Sequence, residues 1–469
     1  MEKLDRSGES DPLLVQPIQP LSRVTCKVYK RRWYVLFVFS AAAMTSNVMW
    51  NTWGPITSPS KMAFGWSEES VLLVTSWGSS ASIIGTAAMS LIMENNGLRV
   101  TVITAVMLLF IGKGTQVLAM LYLSNVTQTW LINLGQLVSM LPSAALNGGA
   151  PFVSAVWFPS NERATATALG VVATSLGIAL SFVIGPQMVP DECLVHNKSQ
   201  KTNQTLPSQE LSLHMILHYM YLQLGMVILL LFCVIVYFPN KPKLPPSHSK
   251  AQKSIGGVKG LQMLCLKKSF WLLNVFSAVG LGVQIGWLST LSAAVEPFGV
   301  SQRTAGWLGC VGSLSSMVSG VLTGRIADTM MYRFEHLLLV LMLGGGIFQL
   351  LFSLTCQNII PYNEYLLYAS VIGQGFILSP ESSLLFELLM EATFPIHEAI
   401  VSGIYMATGN IVILLFYIPF LVGHVPTWVM NWVYLASLGV GIPFYAIFRV
   451  KYVRIGIDDS LVHSTVINS

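Results

Sequence analysis

The sequence predicts an all-α membrane protein with twelve transmembrane helices in two pseudo-symmetric six-helix halves. Three observations predict it. Of the 469 residues, 53% are hydrophobic and only 10% are charged, whereas a soluble domain carries about 25% charged residues; the mean hydropathy is +0.63. Twelve apolar segments succeed one another, each long enough for the ~20 residues that cross a bilayer. Short motifs recur at a near-constant offset between the first six segments and the last six. The net charge of +5 carries no message about partners until its placement is read, and nothing points to nucleic acid.

Residues 1–32 form a polar tail that ends in Lys27, Lys30, Arg31 and Arg32. Basic residues at the edge of a first span hold that flank in the cytosol, so the tail is expected there. It contains Glu9-Ser-Asp-Pro-Leu13-Leu14. An acidic residue ahead of a dileucine resembles the signal that cytosolic adaptor complexes read for endosomal and lysosomal delivery. The first apolar run is long enough to span and lacks a small-residue cleavage site, so it is not expected to be a signal peptide.

The segments lie near 33–53, 70–93, 98–123, 130–157, 163–188 and 214–238 in the N-terminal half (33–238). In the C-terminal half (269–449) they lie near 269–294, 304–328, 334–356, 364–391, 398–422 and 428–449. Residues 239–268 between them form a linker with seven lysines, four prolines and no acidic residue. Its charge suits an anionic leaflet, and a plain solvated tether accounts for it as well. Residues 450–469 form a second cytosolic tail. With the N-terminus inside, Arg99, Arg163, Arg325, Arg333, the linker and Arg449, Lys451 and Arg454 all fall on the cytosolic side. Only Lys61, Lys198, Lys201 and Arg303 fall on the other, the asymmetry that sets topology. The glycosylation sequons at Asn125, Asn197 and Asn203 all fall in loops that this topology places outside the cytosol.

Phe158-Pro159, followed by Glu162-Arg163, returns as Phe394-Pro395, followed by Glu398, at an offset of 236. Glu94, Gly97 and Arg99 after the second segment match Gly324, Asp328 and Arg333 after the eighth, with the acid-to-Arg spacing kept at an offset of 234. Internal duplication of six-helix halves marks a class of transporters. The acid–Gly–Arg loop resembles the signature loop of the major facilitator superfamily. Each copy departs from the pattern: Ser90 stands where the first copy's leading Gly belongs, and Met331 where the second copy's later Gly belongs. A carboxylate and a guanidinium at such helix ends can pair in one rocking state and part in the other, which makes Glu94, Gly97, Arg99, Glu162, Arg163, Asp328, Arg333 and Glu398 gating candidates; ordinary positive-inside loops would also hold such residues.

Tyr29-Lys-Arg-Arg-Trp33, Trp50-Asn-Thr-Trp-Gly-Pro-Ile56, Asn147-Gly-Gly-Ala-Pro-Phe152, Trp157-Phe158 with Glu162-Arg-Ala-Thr-Ala-Thr167, and Phe386-Glu387 to Glu391 together resemble solute carrier family 49. This is the family of the feline leukaemia virus subgroup C receptor-related transporters. The resemblance covers the membrane region and implies the major facilitator fold. For one branch it implies a lysosomal location and proton-driven export of pyridoxine (vitamin B6). Other branches are linked to choline, ethanolamine and haem.

The segment Asn47-Val-Met-Trp50-Asn51-Thr-Trp53-Gly-Pro55 is too polar for a lipid-facing helix. On a 3.6-residue period Asn47, Trp50, Asn51 and Gly54 share one face. Polar groups in a span face the bundle interior or a watery path, whereas tryptophans alone would suit an interfacial belt. Trp50 and Trp287 stand 237 residues apart, as do Asn47 and Gln284. Each half thus presents an amide and, three residues on, an indole. The resemblance places the first and seventh spans at the central cavity, where two facing indoles would hold a flat or cationic small-molecule substrate at about 0.5–2 kcal/mol per contact. Trp53, Asn147 and Gln374 are further cavity candidates. Carboxyl groups deep in a span are functional candidates by default: Glu381 is the deepest and Glu387 the better family match for carrying protons, while Glu387 and Glu391 also suit a structural gate. Lys113 lies mid-span with no partner evident in the sequence.

No cofactor is implied. The six cysteines are scattered without metal-ligand spacing, no metal site is evident, and no Gly-x4-Gly-Lys-(Ser/Thr) loop is present. An intramembrane enzyme would need a nucleophile–base pair or a metal cluster, and neither is found; a non-transporting receptor or scaffold would not need a repeat-symmetric polar face. The sorting reading makes a direct prediction: Leu13→Ala with Leu14→Ala moves the protein to the plasma membrane in cell imaging, and unchanged lysosomal residence refutes the signal.

Overall fold

The computed structural model describes residues 27–123, 125–190, 208–246, 255–289, 291, 295, 298, 302–329, 334–357, 359–361, 363–421, 425–426 and 428–447. Helices occupy all twelve expected segments. With no water in the hydrocarbon, backbone N–H and C=O groups must bond within their own segment, and helices achieve this. Among the described residues, eight helices are long and apolar enough to cross a membrane, those of the first, third, fifth, sixth, seventh, ninth, eleventh and twelfth spans. The second (Glu68–Asn95), fourth, eighth (Gln302–Thr329) and tenth (Glu364–Thr393) spans fall short by composition or continuity. These four are two repeat-related pairs, and they carry the hydroxyl-rich runs and the mid-span carboxylates.

The fourth span is not the single helix that an apolar run over 130–157 predicts. It is three pieces, Asn125–Met140, Ser143–Gly148 and Ala150–Trp157. Pro142 and Pro151 each lack an N–H donor and exclude the carbonyl four residues back, and Gly148-Gly149 between them offers the least resistance to a bend. The first helix, Arg32–Trp50, likewise ends earlier than its apolar run, with Asn51 at its C-cap. The Gly54-Pro55 break follows at once, and a second, short helix runs Thr57–Phe64.

Buried apolar side chains cluster mainly by half, with Ala144, Ala164 and Ala399 crossing over. One cluster is built from the seventh to twelfth spans around Phe270, Trp287, Leu338, Tyr405 and Tyr434. Two others belong to the first six spans, around Phe39, Leu109 and Phe158, and around Trp53, Trp66 and Tyr219. Outward residues such as Phe37, Leu229 and Phe232 are well exposed, as a lipid-facing surface requires.

The halves meet through the fifth and eighth spans and through the second and eleventh. Bare glycine backbones let helices approach: a Cβ on Gly375 would overlap the carbonyl oxygen of Gly312, and one on Gly320 would overlap Val172 across the half interface. The linker packs onto both halves at one end of the bundle. Asn240 accepts from the Arg99 backbone N–H and donates to the Asn96 carbonyl, which fills the space beside Gly97 (φ +80°). Ile255 pairs with the backbone of Pro395 and His397, ahead of a linker helix Gly257–Leu266.

The Gly375 crossing sets a test. Gly375→Val forces side-chain carbons onto backbone that cannot yield, so overpacking costs about 1–3 kcal/mol or more; a melt of the purified protein should show a lowered midpoint, and an unchanged one contradicts the close crossing.

Candidate functional site

Polar side chains collect where the halves meet, around a cavity of about 160 Å³. The first span supplies Asn47, Trp50 and Asn51, and the broken fourth span supplies Asn147. The fifth adds Thr174, Ser175 and Phe182. From the other half come Gln284 and Ser289 of the seventh span, Ser313 and Ser316 of the eighth, Phe386 of the tenth, and Met406 and Asn410 of the eleventh. The described lining contains no charged side chain. Its chemistry is five amides, several hydroxyls and one indole.

The amides are held in place by partners. Asn47 Nδ2 donates to Asn147 Oδ1 at 2.7 Å and to the Ala43 carbonyl, so the break in the fourth span delivers Asn147 to the first span. Asn51 Nδ2 donates to Ser181 Oγ at 2.8 Å. Asn410 Nδ2 donates to Ser82 Oγ at 3.1 Å across the half interface, and its Oδ1 is a buried acceptor without a partner among the described residues. Trp50 lies flat against Gly78, where a Cβ would come within 2.7 Å of the indole; the missing side chain makes room for the ring.

The expectation of two facing indoles is corrected. Trp287 is 3% exposed and lies outside the lining. Its Nε1 donates to Asn431 Oδ1 at 2.7 Å, and it packs on Phe352 and Tyr434. Three residues separate Gln284 from Trp287 on a continuous helix, and the turn that points the amide into the cavity sends the indole to the twelfth span. Trp53 is corrected likewise. It lies past the helix end at Trp50 and off the face of Asn47, Trp50 and Asn51, and it turns inward to Gln136 and to Phe64 and Trp66. Gln374 also lies outside the lining; it donates to Gln349 Oε1 at 2.6 Å. Asn410, which the sequence reading passed over, is an amide inside an apolar run, the same signal that singled out Asn47.

Of the carboxylates, Glu387 joins the halves: Thr167 Oγ1 donates to Glu387 Oε1 at 2.8 Å and also lies 2.8 Å from Ser154 Oγ. This contact sits one turn from the cavity residue Val171, towards the linker end. Glu381 is buried in the C-terminal half, with Oε1 lacking a hydrogen-bond partner. Glu391 is buried too. Lys113, wholly buried in the third span, donates to Gln116 Oε1 and contacts Met220 Sδ. Glu94 and Arg99 are not paired in this state; Glu94 instead abuts Gly256 of the linker. Glu162 pairs with Arg32 at 2.7 Å, while Arg163 is buried. Glu398 begins the eleventh helix. Asp328 lies in the eighth helix, its side chain outside the described residues, as are Arg333, the sorting residues Glu9, Leu13 and Leu14, and the sequons at Asn197 and Asn203. Asn125 begins the fourth span.

Three comparisons with known proteins bear on this geometry. The family model for the Major Facilitator Superfamily matches residues 33–417. The solute carrier family 49 member 4 homolog of Xenopus tropicalis is 31% identical over 457 residues, covering 96% of this chain and 97% of the relative. The choline/ethanolamine transporter FLVCR2 of Homo sapiens is 25% identical over 403 residues, covering 83% of this chain and 71% of the relative. Among solved structures, the outward conformation of the transporter FucP matches with a TM-score of 0.65 at 16% identity, over 89% of this chain and 98% of that one. The proton:xylose symporter XylE matches with a TM-score of 0.65 at 13% identity, over 91% of this chain and 100% of that one. At such identities these structures speak for the fold alone.

The two tryptophans now separate in behaviour. Trp287→Ala empties a packed site and should cost about 3–5 kcal/mol of stability, read as a lowered melting midpoint. Trp50→Ala opens onto the cavity and should leave the midpoint nearly unchanged while solute binding weakens. The reverse pattern contradicts the placement.

Proposed function

The chain belongs to the Major Facilitator Superfamily and, within it, to solute carrier family 49, and from that membership we propose that it is a proton-coupled secondary transporter of the lysosomal membrane that exports a small organic solute, with pyridoxine as the leading substrate. The observation that carries this reading is the uncharged, amide-rich cavity between the halves with one indole in its wall. Amides both donate and accept, which suits the hydroxyls and ring nitrogen of pyridoxine, and an indole face stacks on a flat ring. A cavity of about 160 Å³ is below the ~300 Å³ at which drug-sized ligands are held, which favours such a solute over haem.

A second reading, choline or ethanolamine, is favoured by the relative named as a choline/ethanolamine transporter and by the exposed face of Trp50, which can attract a quaternary ammonium. No carboxylate in the described lining would neutralise that cation. A non-transporting receptor would leave the cavity without a role.

In this scheme the halves rock about the cavity. The Thr167–Glu387 and Asn410–Ser82 contacts must part when the linker end opens. Solute binding between the halves and protonation of Glu381 bias the same two-state element. A bare carboxylate buried without a counter-ion is costly, so gaining or losing a proton there changes the relative energy of the two states. Adaptor binding through Leu13 and Leu14 would deliver the protein to lysosomes, with both termini cytosolic.

Uptake by purified protein in liposomes tests the proposal. Pyridoxine should accumulate when a proton gradient is imposed, and Glu381→Gln should abolish the response to that gradient. An unaltered pH profile removes Glu381 from the mechanism; no movement of pyridoxine or choline under any gradient refutes the function.

A further inference from the structure

Coupling needs a physical path between the solute cavity and the buried carboxyl, and one face of the seventh span supplies it. Gln284, Gly280, Ser277 and Asn274 follow at three- or four-residue intervals and so share a face. That face runs about 15 Å from the cavity towards the linker end. Gln284 lines the cavity and, with Gln374, lies beside the Tyr434 side chain, which packs on Trp287 of the same seventh span. Gly280 faces Glu381: a Cβ there would stand 3.2 Å from Oε1. Ser277 Oγ and the Tyr445 hydroxyl are 2.7 Å apart. Asn274 Nδ2 donates to Thr408 Oγ1 at 3.0 Å. Ser277, Asn274, Tyr434 and Tyr445 are each at most 1% exposed.

The titratable groups that face Glu381 are phenols, namely Tyr405 of the eleventh span and Tyr434 and Tyr445 of the twelfth. No basic side chain among the described residues pairs with it. Along this line Glu381 Oε1, the Tyr405 hydroxyl and Asn274 Oδ1 are buried without hydrogen-bond partners among the described residues. Buried polar atoms are nearly always satisfied, so three unsatisfied ones on one track ask for a role beyond packing. Apolar side chains of the same volume would pack this interior at lower cost.

We propose that this track is the proton's own route. It joins the cavity to Glu381 through Tyr434 and continues past Tyr445 and Asn274 to the linker end, apart from the solute path between the halves. The inference rests on Glu381 being the coupling carboxyl. One O–H bond forms on that carboxyl as a proton arrives and breaks as it leaves, and each tyrosine hydroxyl passes on one proton for each it accepts. Tyr434 and Tyr445 relay the proton, and Ser277 positions the Tyr445 hydroxyl.

The test uses the full chain in liposomes with an internal pH dye, and as solute whichever of pyridoxine and choline the unmodified protein exchanges. Solute exchange at equal pH needs only the solute path, whereas solute-driven proton movement needs both. Ser277→Ala with Tyr445→Phe, and separately Tyr434→Phe, should keep exchange and lose solute-driven proton movement. If Tyr434→Phe fails to fold, the Ser277→Ala and Tyr445→Phe pair decides. Proton movement that persists, or exchange that falls in step with it, overturns the route. Glu381→Gln in the same assay tells the two levels apart. If it keeps full proton movement, the coupling assignment has failed and the route with it; if it loses proton movement while the track variants keep it, the route alone has failed.

Discussion

A polar side chain inside a lipid-embedded bundle must find a partner there, because the hydrocarbon offers none. That constraint organises the interior of both halves. In the N-terminal half, Lys113 is held by Gln116, Gln116 donates to Gln136, and Gln136 accepts from Trp53. In the C-terminal half, Gln374 donates to Gln349, Gln349 to the Asn431 carbonyl, and Asn431 accepts from Trp287. Lys113 and Gln349 stand 236 residues apart and Gln136 and Gln374 stand 238 apart. The duplicated halves thus keep one polar brace between their third and fourth helices, with a lysine in one copy where the other has an amide. Partners for these groups also fix the packing: each bond names the helix that must lie alongside.

Among the groups that the braces leave over, two sets stand out. Some line the cavity at the half interface, where a solute can satisfy them. Others lie around Glu381 within the C-terminal half. The separation has a mechanical consequence. The cavity and the Thr167–Glu387 contact belong to both halves and change when the halves move, whereas the surroundings of Glu381 belong to one half and travel with it. Gln284 and Tyr434 are where the two regions touch.

Much of the fold was legible because hydrophobic length and charge asymmetry act locally. All twelve segments are helical, and the repeat offset was visible without coordinates. Of the site, Asn47, Trp50, Asn51, Asn147 and Gln284 do line the cavity, since an amide in an apolar run has few places to go. Trp53, Trp287 and Gln374 do not. An indole satisfies its N–H equally well against a neighbouring helix, and residues three apart on a helix sit one turn along the axis and about 60° round it, enough to give them different neighbours. A repeat offset of 237 aligns residues in the chain but does not fix which wall each one faces. The breaks at Pro142 and Pro151 were written in the sequence, yet a run rich in apolar residues hid them. The contact of Asn410 with Ser82 across the interface depends on how two halves dock, which no local pattern encodes.

The central claim is that the halves close over the cavity at the linker end and must part there for solute to pass. Thr167→Cys with Glu387→Cys, bridged by a short bifunctional thiol reagent, tests it most directly. The account predicts that bridged protein holds solute exchange at zero while each single cysteine variant treated in the same way retains it. Exchange that continues through fully bridged protein would show that the contact does not open during transport and would contradict the account.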